Sequence, residues 1–234
     1  MTMFSKQWQE SCLRAGAVAA VLSLGFAGTP AGAADEKPAA SAAKQEVPAM
    51  KNEDFYKDGK FQADKAKEAY FAMFKRFDYP VPPSLRDGMW AADFNLGDFT
   101  RVGMAGIFWY NDKETSVFGH EIFLLPGQMI VEHAHVQAGD VPPKREAWHV
   151  RHGLIYTFGE GEAKEPCPVA LPESQAKFIT VKAWKLVKQG EVDYLKRATA
   201  KHFMIAGPEG AIVTEYGTFH DNAGLRFTNP GVKF

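Results

Sequence analysis

The spacing of apolar residues changes character near residue 80. Before it, Ala66, Ala69, Tyr70, Met73, Phe74 and Phe77 recur at three- and four-residue steps, which places them on one stripe of a helix. The pattern predicts a helix from Asp64, as N-cap, to about Phe77. Pro80, Pro82 and Pro83 then end it. From about Met89 onward the chain reads as short strands separated by turns. The predicted strands are 101–110, 116–125, 128–136, 145–152, 154–158, 177–187, 192–197, 201–206, 211–216 and 224–228. The breaks between them hold Asn111-Asp112, Pro126-Gly127, Gly159-Glu160-Gly161, Gln189-Gly190 and the run Gly207 to Gly210. Many short strands with no helices between them predict an all-β fold, an antiparallel double-sheet barrel or jelly roll, with a short N-terminal helix. The methionine and aromatic stripe of that helix reads as core packing.

Composition narrows the partners. The chain has 234 residues and a formal charge of −1, so nothing in it calls for nucleic acid or an anionic membrane. Lys6 and Arg14, an apolar run over 15–28 and small residues near Ala31 to Ala34 predict a secretory signal over residues 1–34. The apolar run is short for a membrane span. No Arg-Arg pair precedes it, which favours the general secretory route and a periplasmic or secreted protein, free of the membrane after cleavage. Residues 35–52, rich in Ala, Lys, Glu and Pro without periodicity, predict a disordered linker. A single domain is expected over 53–234. Cleavage removes Cys12 and leaves Cys167 alone, which excludes an intramolecular disulfide in the mature chain.

The chemistry sits between residues 127 and 153. Gly127 is followed after five residues by His133-Ala134-His135, then after ten by Glu146 and after six more by Gly153. Residues i and i+2 of a strand share a face, so both imidazoles can reach one ion. Two nitrogen ligands and a carboxylate suit a divalent first-row metal: Mn, Fe, Co, Ni or Zn. The spacing resembles the first signature of the cupin superfamily, with extra loop residues at 137–143. Cupin sites usually take a fourth ligand, a histidine from a later strand. His149 is out of phase with Glu146. His152 lies six residues further on, roughly 20 Å along an extended strand. His220 follows Gly217 in a predicted loop, whereas His202 lies in a strand. His202 is the expected fourth ligand.

Two further residues are candidates for proton chemistry. A hairpin turning at Pro208-Glu209 would set Gly207 opposite Gly210 and pair His202 with Glu215 on one face. Glu215 would then enter the same cavity as a carboxylate not needed for the metal, a candidate general base; a structural glutamate is the alternative. Lys144 precedes Glu146 by two residues and shares its face. It is either an oxyanion-stabilising ammonium or a solvated loop lysine.

These residues resemble one branch of the cupins, the D-lyxose isomerases. The resemblance rests on residues 97–111 (GDFTRVGMAGIFWYN), 121–136 (EIFLLPGQMIVEHAHV), 207–216 (GPEGAIVTEY) and 225–230 (LRFTNP), and on the lysine two residues before the ligand glutamate. It covers roughly residues 53–230. It implies His133, His135, Glu146 and His202 as ligands of a metal of the Mn²⁺ type, with Lys144 and Glu215 near the sugar. It also implies a homodimer that interconverts free aldoses and ketoses, D-lyxose with D-xylulose or D-mannose with D-fructose, through a cis-enediol. Two other readings stay open: a cupin dioxygenase or decarboxylase, and a periplasmic sugar-binding cupin without turnover.

Overall fold

The structure, a computed structural model, describes residues 50–234. The predicted signal over 1–34 and almost all of the predicted linker lie outside the described residues. Met50 already packs against the core. Asn52 donates its side-chain amide to the Gly97 carbonyl at 2.8 Å. Among the described residues no helix is long and apolar enough to cross a membrane.

A turn of 3₁₀ helix (Asn52–Phe55) leads into a small hairpin, β1 (Tyr56–Lys57) and β2 (Lys60–Phe61). The predicted helix follows as α1 (Ala63–Arg76), with Ala66, Tyr70, Met73 and Phe74 buried. Asp64 is not its cap. Gln62 occupies that position without a side-chain bond, and Asp64 sits inside the first turn, where a carboxylate still favours the helix dipole. Pro82 and Pro83 do more than stop this helix. They start another, α2 (Pro83–Gly88), because proline's fixed φ suits a first helical position.

The strands are β3 (Trp90–Ala92), β4 (Met104–Asp112), β5 (Val117–Leu124), β6 (Met129–His135), β7 (Glu146–Gly159), β8 (Ala183–Lys188), β9 (Val192–Tyr194), β10 (His202–Gly217) and β11 (Leu225–Phe227). A short helix, α3 (Glu173–Ala176), precedes β8. The predicted strand over 177–187 is realised only from 183. Before that, the backbone N–H groups of Thr180 and Val181 bond the buried Glu132 carboxylate instead of a ladder.

The predicted hairpin at Gly207–Gly210 does not form. Residues 202–217 make one continuous strand that runs beside β7 for its whole length. The first half of β10 also pairs with β6 and the second half with β5. Thus β3 to β11 form one nine-stranded sheet that folds over along β7 and β10, so that its two halves enclose the main core of Met104, Ile122, Trp148, Val150, Ile155, Met204 and Val213. The antiparallel double-sheet barrel is the fold expected from the strand pattern. Helices α1 and α2 cover the outer face of β3, β4 and β5 through a second core built on Tyr70, Phe74 and Phe123.

The corner where the sheet folds over depends on two glycines. Gly153 of β7 has φ +72° and Gly210 of β10 has φ +85°. A Cβ on Gly153 would lie 2.1 Å from the Gly210 carbonyl oxygen. The register slips here, and both strands change phase. His202, Met204 and Ala206 face inward before the bend; Ala211, Val213 and Glu215 do so after it. Gly153→Ala combines left-handed strain, roughly 1–2 kcal/mol, with overpacking against backbone, typically about 1–3 kcal/mol. The variant is expected to lose roughly 2–5 kcal/mol in urea unfolding. A loss below about 1 kcal/mol would mean that the corner relaxes without this contact.

Candidate metal centre and its cavity

His133 and His135 lie on β6, Glu146 opens β7 and His202 opens β10. A register shift in β6 puts Ile130, His133 and His135 on the inner side while Glu132 turns outward to Thr180. His202 is the direct cross-strand partner of His133. One potential ligand atom from each of the four residues lies within 4.8 Å of all the others. The Nε2 atoms of His135 and His202 are each 3.0 Å from a Glu146 oxygen.

The donor set fits a metal ion. His133 Nδ1 bonds the Val131 carbonyl at 2.8 Å, and His202 Nδ1 bonds that of Ala200 at 2.9 Å. Each bond assigns the ring proton to Nδ1 and leaves Nε2 as the free lone pair, the outer-shell arrangement that orients metal-ligating histidines. The Nε2 atoms of His135 and His202 and Oε2 of Glu146 are buried without a hydrogen bond of acceptable geometry among the described residues. Converging buried acceptors are costly unless a cation or proton lies between them. Burial lowers His133 well below the ordinary histidine range, and the neighbouring His202 and His135 add to that. Burial would raise Glu146, but Lys144 and then His135 outweigh it and hold the carboxyl well below its ordinary range. For His202, burial acts downward, yet Glu146 holds the ring above its ordinary value.

Beside this cluster stands a second one. Lys144 Nζ bonds Glu146 Oε1 at 2.8 Å and also Glu215 Oε1, and it lies 4.0 Å above the Phe118 ring. At 5 % exposure Lys144 is no solvated loop lysine. Burial acts to lower it, but Glu146 and Glu215 together raise it. Glu215 faces the cavity, though by a different route from the expected pairing with His202. Its cross-strand partner on β5 is His120, whose Nδ1 is 2.9 Å from Glu215 Oε2. Burial lowers His120, with Glu215 pulling the other way.

His120 was absent from the sequence-derived candidates. Its signal is present in the strand alternation: Phe118, Ile122 and Leu124 form one apolar face of β5, and His120 is the polar residue on that face. The remaining histidines play other parts. His152 stacks on Phe77 outside the barrel, and His149 is near the Tyr216 hydroxyl. His220 lies in a loop at the cavity wall, stacked on Phe118; burial pushes it down to about 4. Cys167 is exposed and free, away from the cavity.

The two clusters share one cavity of about 70 Å³, walled by Trp90, Phe94, Phe108, Phe118, Trp148 and Phe227. A water needs roughly 10–15 Å³ on this measure, so there is room for about five waters or one small polar molecule. Aromatic walls with polar groups at one end suit a ligand that has apolar CH faces and several hydroxyls.

No family model matches the chain. It is 29% identical over 174 residues to the D-lyxose/D-mannose isomerase of Thermosediminibacter oceani, a match spanning 74% of this chain and 94% of that one. It is also 29% identical over 168 residues to the D-lyxose ketol-isomerase of Cohnella laeviribosi, spanning 72% and 91%. The chain is thus similar in sequence to proteins named D-lyxose isomerases. Solved structures share the fold of this chain. The L-ribose isomerase of Acinetobacter sp. DL28 superposes with TM-score 0.55 at 13% identity, over 72% of this chain and 92% of that one. The L-ribose isomerase of Cellulomonas parahominis gives 0.53 at 14%, over 72% and 91%. The cupin-type barrel expected from the sequence is therefore the fold shared with these proteins.

Proposed function

We propose that this protein is a metal-dependent aldose–ketose isomerase acting on free sugars of the D-lyxose/D-xylulose or D-mannose/D-fructose type. One observation carries the reading. A buried carboxylate, Glu215, stands beside a four-residue metal-binding group without belonging to it, and Lys144 joins the two. Similarity to the D-lyxose isomerases supports the substrate class.

His133, His135, Glu146 and His202 would hold the ion, Mn²⁺ in this reading, which supplies Lewis-acid polarisation of the sugar carbonyl. Glu215 removes the proton from C2 of the open-chain aldose. Electrons from the broken C–H bond form the C1–C2 double bond of a cis-enediol. Lys144 donates to the oxygen on which charge develops and assists transfer of the hydroxyl proton from O2 to O1. Glu215 returns its proton to C1, giving the ketose with no net gain or loss of atoms. Phe118 and the other aromatic walls keep water away from these charges, which strengthens each contact.

The test is metal analysis of the purified protein, followed by an aldose panel in the absence of oxygen with chromatographic identification of products. The expected result is a bound first-row divalent ion and interconversion of D-lyxose with D-xylulose or of D-mannose with D-fructose. Products that appear only with oxygen, or tight sugar binding with no interconversion, would overturn the reading.

A further inference from the structure

We propose that His120 is the positioning residue of Glu215, forming a His–Glu dyad in which His120 Nδ1–H holds Glu215 Oε2 and leaves Oε1 as the oxygen that meets the substrate. The inference rests on the isomerase reading for its kinetic consequence but not for the dyad itself. His120 and Glu215 are direct cross-strand partners on β5 and β10. Their side chains are each 5% exposed, and their contact is 2.9 Å.

The imidazole has no freedom to serve another partner. It stacks on Trp90 at 5.6 Å and 21°, meets Phe108 edge-on at 4.8 Å and touches Phe118 at 5.5 Å. Its far nitrogen, Nε2, lies over Gly106 of β4, where an added Cβ would come within 2.3 Å of it. That nitrogen is buried without a partner among the described residues. A ring proton on Nε2 would be stranded against backbone, whereas one on Nδ1 meets a carboxylate oxygen. The enclosure therefore selects the Nδ1–H tautomer. A carboxylate with one oxygen held in this way can turn only its other oxygen to a reacting carbon, and Lys144 already brings Oε1 toward Glu146 and the metal cluster. Geometry of this kind fixes a base within the tolerance that proton transfer demands.

The experiment has a spectroscopic arm and a kinetic arm, both on the full-length protein, loaded with diamagnetic Zn²⁺ for the spectra and with Mn²⁺ for the kinetics. In nitrogen-15 spectra of labelled histidine, the His120 ring should show a protonated Nδ1 and a bare Nε2, and Glu215→Gln should shift that signal. A protonated Nε2 in the unaltered protein would overturn the dyad, whatever the sugar activity. In the kinetic arm, His120→Leu fills the space without a donor, whereas His120→Asn keeps an amide N–H near the Nδ1 position. His120→Leu is expected to lose roughly 10–100-fold in kcat, a part of the 10²–10⁴-fold worth of a positioned base. KM should change less than about threefold, and His120→Asn should recover most of the loss. Equal losses in both variants, or a loss confined to KM, would show His120 to be a packing residue. If no aldose is interconverted by the unaltered protein, the isomerase reading fails and the nitrogen spectrum alone decides the dyad.

Discussion

Glu215→Gln should retain the fold and the bound metal while losing about 10²–10⁴-fold in turnover, the usual worth of a positioned general base. The substitution keeps the side-chain length and an oxygen that accepts from Lys144. What it removes is the capacity to take a proton from carbon. Its neighbours make the outcome informative. Lys144 needs an acceptor at this position, and the glutamine oxygen supplies one. The amide nitrogen then faces His120 Nδ1, which currently contacts Glu215 Oε2. To present a lone pair there the ring must carry its proton on the enclosed Nε2, which leaves an unpaired N–H but no unpaired charge, so the loss of stability should stay within about 1–3 kcal/mol.

The discriminating measurement is metal content beside deuterium uptake at C1 or C2 of the sugar. Uptake at the unmodified rate would make Glu215 a structural glutamate and send the search for the base elsewhere. Loss of the metal would make it a ligand, and Glu146 or His202 would then be misassigned.

The route by which Glu215 reaches the cavity separates what local pattern can show from what it cannot. Alternation with period two reports which residues share a face, and for His133 and His135 that sufficed. The run Gly207 to Gly210 gave the same signal as a turn because a strand bend and a hairpin turn both need residues free to leave the β region. The bend was legible only from its counterpart at Gly153, more than fifty residues earlier, since each glycine makes room for the other. A hairpin and a phase-shifting bend both turn His202 and Glu215 toward one side, so the expected placement held although the pairing behind it did not. His120 escaped notice because its importance comes from a partner 95 residues away rather than from its own spacing. The segment 177–182 misled in the opposite way. Its run of Phe178, Ile179, Thr180 and Val181 has the composition of a strand, but Glu132 takes up the N–H groups that a ladder would need.

His202→Ala tests the metal cluster from the strand that sequence reasoning identified least directly. His202 is the one member of the four supplied by β10, and its ring packs on His133 at 4.2 Å and Trp148 at 5.4 Å. Removing it leaves three ligands and a gap that water can enter. The loss of metal affinity should exceed the ~10–100-fold that follows from disturbing an outer-shell partner alone. Stability reports this directly. A metal present at about 1,000 times its dissociation constant stabilises the folded state by about 4.1 kcal/mol. At roughly 2–4 °C per kcal/mol for a domain of this size, that is a rise in Tm of roughly 8–16 °C. After a ~100-fold loss of affinity the same metal concentration contributes only about 1.4 kcal/mol, or roughly 3–6 °C. The unaltered protein treated with a chelator should fall to the Tm of its metal-free form, which separates metal loss from a packing defect at His202. Activity of His202→Ala should return in part as metal concentration rises, a recovery that Glu215→Gln cannot show because its metal is already in place. Unchanged metal content in His202→Ala would remove β10 from the metal site and leave His220, on the cavity wall, as the remaining histidine within reach.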